Sequence, residues 1–124
     1  MPKPLCPRDA WIVRLRTEAL AVGTPAAAKV ATVGLWIATY ASDAGQKAFP
    51  GTQALAVLTG YTPQTVHRAT KVLEAIGLLG RHLRMNASPL YSLLLPEAPS
   101  DWDRHMERFT DVTQRRVDPA RKSA

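Results

Sequence analysis

The junction Thr59-Gly60-Tyr61-Thr62-Pro63 restricts the fold more than any other stretch of the chain. An apolar run of helical period ends at Gly60, the residue type that most readily takes the left-handed backbone closing a helix. Thr62 then offers a side-chain oxygen as N-cap, and Pro63 brings the fixed φ of a first helical residue. Two helices joined this tightly must turn sharply and share a core. The first is predicted from about Thr52 to Thr59, with Leu55, Ala56 and Leu58 inward. The second runs from Pro63 to Ile76. Its Val66, Ala69, Leu73 and Ile76 recur at helical spacing and form one apolar stripe, and Gly77 stops it. Leu78 to Leu83 and Leu90 to Leu95 can pair as strands around the turn-like Arg84-Met85-Asn86-Ala87-Ser88-Pro89.

Upstream, residues 1–8 hold three prolines and read as an extended start. Asp9 is a candidate cap for a helix from Ala10 to about Ala21, with Trp11, Leu15 and Ala19 on one face. The alternation of Trp11, Val13 and Leu15 also permits a strand. Gly23-Thr24-Pro25 repeats the start signal for a helix reaching about Ser42. Val30, Val33, Ile37 and Tyr40 form its stripe, and Leu35 and Trp36 point elsewhere. A helix apolar on most sides is buried on most sides. Cover by residues 10–21 is favoured over a second copy meeting Trp36. Asp43 to Lys47 reads as a loop. Beyond Pro96 and Pro99, Ser100 is placed to cap a last helix from Asp101 to about Arg116, and residues 117–124 form a basic tail.

Two helices, a tight turn and a hairpin make the plan of a winged helix-turn-helix. The predicted class is mainly α with a small β-hairpin. An N-terminal extension with a helix (1–22) and a C-terminal helix and tail (97–124) flank the central domain (23–96). Such a domain presents its second helix to the DNA major groove. The charge agrees with this: the chain carries +6 overall with a pI near 10.0, a balance that favours polyanions. Residues 23–96 contain six bases against two acids, whereas residues 97–124 contain six of each. The excess therefore lies mainly in the central domain.

On the predicted recognition helix, Gln64, Thr65, His67, Arg68 and Lys71 lie off the apolar stripe, with Thr62 at its start. Arg68 has the geometry to bond a guanine edge and Gln64 an adenine edge. Thr65 suits a phosphate or a thymine methyl. Arg81, His82, Arg84 and Asn86 cluster on the hairpin, where a wing meets flanking backbone or the minor groove. Lys47 and Gln53 are further candidate phosphate contacts, helped by the N–H groups opening the preceding helix. Trp102, Met106 and Phe109 form a stripe that, with Trp36, would serve either a homodimer or packing within the chain.

Residues 11–83 resemble the helix-turn-helix domains of actinobacterial plasmid, phage and chromosomal DNA-binding proteins. The likeness is carried by an early aromatic residue, the segment ATYASDAG, and above all by FPGTQALAVLTGYTPQTVHRATKVLEAIGLL, from Phe49 to Leu79. It implies a winged helix in which Thr62, Gln64, Thr65, His67 and Arg68 stand at the DNA-reading start of the recognition helix. Lys71 then falls on its backbone-facing side. Where such relatives carry several arginines, this helix has His67 and a single Arg68.

Enzyme classes find little support. The chain has no glycine-rich phosphate loop, no metal-ligand spacing and no nucleophile–base pair, and Asp43 and Glu74 are the only acids between 23 and 96. No cofactor, metal or small-molecule effector is predicted. The lone Cys6 cannot form an internal disulfide, and the apolar stretch from Ala31 to Ala41 is too short to span a bilayer. A cytoplasmic, nucleoid-associated setting follows as an expectation. The predicted function is a small sequence-specific regulator of double-stranded DNA, a repressor in the simplest case. A replication or segregation factor is the near alternative, and a winged helix used for protein contacts the distant one.

Overall fold

A computed structural model of the chain describes residues 5–48, 50–85, 87–98, 100–102 and 104–106, with the side chains at 87–89 excepted. Its first helix, α1 (Pro7–Val22), begins earlier than Asp9 predicts. Pro7 occupies the first helical position, where its missing N–H costs nothing, and Cys6 is the extended N-cap without a side-chain bond. Asp9 is therefore not the cap. It lies in the first turn, where a carboxylate favourably meets the helix dipole, 3.3 Å from Arg8 Nε. The strand alternative for this stretch is set aside: Trp11, Leu15 and Glu18 are buried at helical spacing. Trp11 Nε1 donates to the Leu78 carbonyl at 2.7 Å, tying α1 to the segment after the fourth helix. Gly23, with φ of 68°, closes α1.

Helix α2 (Pro25–Ala38) starts as predicted, with Thr24 Oγ1 accepting from the Ala27 N–H at 3.1 Å. Val30, Val33 and Ile37 are completely buried. Each contributes about 1.5–3 kcal/mol of burial before chain entropy is set against it. α2 is central, packed on α1 to one side and on α3 and α4 to the other. It ends at Ala38, short of Ser42. The last turn tightens into bonds from Tyr40 N to Ile37 O and Ala41 N to Ala38 O, and the Thr39 hydroxyl takes the Trp36 carbonyl. Tyr40 consequently leaves the stripe and is exposed, contrary to expectation.

The following loop is not idle. Gly45 O accepts from Leu93 N at 2.8 Å, and Ala48 exchanges both backbone bonds with Tyr91. The chain thus touches the hairpin's second strand as a one-residue bridge before entering α3 (Thr52–Thr59). Leu55 is buried and Ala56 packs on the core, but Leu58 is exposed, which corrects its inward assignment. Gly60 adopts φ of 78°, and the Thr59 hydroxyl accepts from Tyr61 N while donating to the Leu55 carbonyl. Helix α4 (Pro63–Ala75) follows, capped by Thr62 Oγ1 on Thr65 N. Val66, Ala69 and Leu73 are buried as predicted, joined by Thr70 and Val72, with Ile76 buried just past the end.

Strands β1 (Leu79–Arg84) and β2 (Ala87–Leu93) form one antiparallel pair in which Leu79 faces Leu93, Arg81 faces Tyr91 and Arg84 faces Ala87. The turn is tighter than the six-residue tip read from the sequence, because Arg84 and Ala87 already pair. Residue 102 and residues 104–106 are helical. Trp102 and Met106 are only 2% and 5% exposed and belong to the same core as α1 and α2. A mainly helical chain with one small antiparallel hairpin in this order is compatible with a winged-helix-like arrangement.

Candidate nucleic-acid interface

The amphipathic division of α4 decides what its outer face can do. Val66, Ala69 and Leu73 anchor one side in the core, so Gln64 and His67 are left exposed on the other, with Arg68 half-buried between. Gln64, Arg68 and Lys71 succeed one another at spacings that keep them on one side of a helix. Thr62 and Thr65 are largely occupied with each other. The Thr62 oxygen caps the Thr65 N–H, and the two hydroxyls lie 3.0 Å apart. Their first task is to start the helix, so any contact they make to a ligand shares atoms with the cap.

The cations are arranged less simply than the sequence implies. Glu74 receives Lys71 Nζ at 3.5 Å and Arg81 Nε at 3.2 Å. Arg81, expected on the outer rim of the hairpin, is thus turned back toward α4 and joins the two elements. The sequence offers no local signal for this pairing, because register, not spacing, brings residue 81 beside residue 74. The Lys71 contact, with half the lysine side chain in solvent, is of the weak surface kind that a phosphate readily replaces. Burial lifts the Tyr91 phenol above its ordinary pKa, and Glu74 pushes the same way while Arg81 opposes it.

His82 and Arg84 are exposed further along β1. Lys47, in the left-handed region at φ of 61°, and Gln53, in the first turn of α3, are also exposed. Asn86 and Phe109 lie outside the described residues. Trp102 and Met106 are buried in the monomer and Trp36 packs half-buried against the core. Of the two uses left open for Trp102 and Met106, a homodimer or packing within the chain, the structure shows packing within the chain.

A polar cluster joins α1 to the segment after the hairpin, with no local signal in the sequence. Glu18 is buried on α1 and accepts from Trp102 Nε1 at 2.7 Å and from Ser100 N at 3.3 Å. It also pairs with Arg14, whose other guanidinium nitrogens reach the carbonyls of Pro96 and Ala98 at 2.9 and 2.7 Å. Among the described residues no three His, Cys, Asp or Glu side chains converge as a metal site would require, and no helix is long and apolar enough to cross a membrane. No family model matches the chain, and no curated protein or solved structure matches it either.

Proposed function

We propose that this chain is a winged helix-turn-helix protein that binds double-stranded DNA by sequence and acts as a small transcriptional regulator. In this reading the N-terminal half of α4 enters the major groove and the hairpin contacts the flanking duplex. The observation that carries it is the combination of a tight Gly60 turn with an α4 whose buried face is fully used. That leaves a polar outer face of Gln64, His67, Arg68 and Lys71 beside a hairpin with two arginines, a histidine and no acid from 78 to 95. Phosphate contacts from Lys71, Arg84 and Lys47 set the register, and base contacts from Gln64 and Arg68 supply the sequence preference.

Selection of binding sequences from a random duplex pool at near-physiological salt tests this directly. A defined motif bound about a thousandfold more tightly than scrambled DNA is the expected outcome. Weak binding without enrichment, vanishing as salt rises, would reduce the charge to a generic surface and leave the module to protein contacts. The symmetry of a recovered motif would report whether one copy or two occupy it.

A further inference from the structure

We infer that the hairpin tip is an apolar wedge for the DNA minor groove: Leu83 and Met85, carried beside Arg84, open a base step next to the α4 site and bend the duplex. This rests on the DNA-binding reading above and adds the manner in which the hairpin makes contact.

Exposure climbs steeply along β1, from 3% at Leu79 to 75% at Leu83 and 90% at Met85 just beyond the strand. Met85 is the most exposed large apolar side chain among the described residues. These two side chains add nothing to the core, and an apolar hairpin end carries an association hazard. A partner that takes them up supplies the reason for their presence.

The surrounding charge says which partner. The segment 78–95 contains no Asp or Glu, and His82 and Arg84 are exposed beside the two apolar side chains. A polyanion fits this surface and a basic protein does not. Leucine and methionine are among the residues that wedge between stacked base pairs from the minor groove, and arginine is favoured where that groove is narrow.

The backbone prepares the tip for such a task. His82 pairs with Leu90 and Arg84 with Ala87, so Ser88 and Pro89 of β2 together oppose the single Leu83. A bulge of this kind bends and twists a hairpin end, and Pro89 has no N–H to offer the ladder there. At the other end, the Glu74–Arg81 pair and the buried Leu79–Leu93 pair fix the hairpin to α4 and the core. The wedge is thus held at a set offset from the recognition face. The cheapest base steps to open are pyrimidine–purine steps. The target should therefore carry a TA or CA step beside the bases that α4 reads, selected without a hydrogen bond to it.

The test compares the full chain with a Leu83→Ser, Met85→Ser double variant on the duplex recovered by random-sequence selection. 2-Aminopurine at the flanking step reports unstacking, and mobility of circularly permuted fragments reports bending. The native chain should brighten the probe and bend the duplex by about 20–90°. The variant, altered only at exposed side chains, should melt at the same temperature but lose both signals. It should bind roughly tenfold more weakly with its salt dependence unchanged, since no phosphate contact is lost. A straight, dark complex of the native chain that is nonetheless tight and specific would overturn the wedge alone, as would a variant that bends DNA equally well. Failure of the native chain to bind any sequence specifically would overturn the wedge together with the DNA-binding proposal.

Discussion

Arg68 stands one helical turn after Gln64 on α4, and in the proposed complex its long side chain reaches a base edge in the major groove. If it bonds guanine bidentately, Arg68→Ala should cost about 1–3 kcal/mol of binding and relax preference at a single base pair. Equal loss on every sequence in the same competition assay would make it a phosphate contact instead. Glu74 acts in the opposite sense. It lies on α4 between two cations and spends part of their charge internally. Glu74→Gln should therefore strengthen binding to all duplexes and steepen the plot of log affinity against log salt by about one, as a cation is released to a phosphate. The same variant should melt at a slightly lower temperature, because Arg81 loses the partner that holds the hairpin. A flat or weakened salt response would show that neither Lys71 nor Arg81 reaches the DNA.

Among the elements, α2 packs on α1, α3 and α4, and its Gly34 is crowded by side chains of two of them. An added Cβ at Gly34 would meet Leu15 Cδ2 at 3.0 Å, Leu73 Cδ1 at 3.2 Å and the Trp11 ring at 3.2 Å. Helix propensity alone would make Gly34→Ala favourable by about 1 kcal/mol. Here the three neighbours are themselves buried and interlocked, so the crowding should win and the variant should be destabilised by about 1–3 kcal/mol in denaturant unfolding. An increase in stability would mean that α1 can shift outward. The sequence shows where α2 and α4 begin, and where α3 turns, because Thr24-Pro25, Thr62-Pro63 and Gly60 are local signals. It does not show that Gly34 lies tightly against side chains of α1 and α4, that Tyr40 and Leu58 face solvent, or that Arg84 already pairs with Ala87. Those outcomes depend on how neighbouring elements pack, which no periodicity within a single element encodes. The candidate site divides in the same way: the exposure of Gln64 and His67 follows from the α4 stripe, whereas the capture of Arg81 by Glu74 needs the hairpin register.

Across the whole molecule, the segment after the hairpin is strapped to α1. Arg14 holds the carbonyls of Pro96 and Ala98, and Glu18, one turn on, holds Ser100 N and the Trp102 indole. Charged groups are this deeply placed only when their bonds are satisfied, and removing one partner costs more than the pair is worth. Trp102→Phe keeps most of the buried ring but leaves Glu18 without its indole donor. It should lower stability by about 1–3 kcal/mol, with the unfolding transition remaining single because Trp102 and Met106 share one core with α1 and α2. The sedimentation mass should not change, since Trp102 is spent inside the monomer. A loss of mass with little loss of stability would instead place this side chain at a contact between copies. The distinction also bears on DNA. With Trp102 and Met106 consumed internally, any second copy must be met through another face; a chain that meets none would prefer a single element with no imposed half-site spacing.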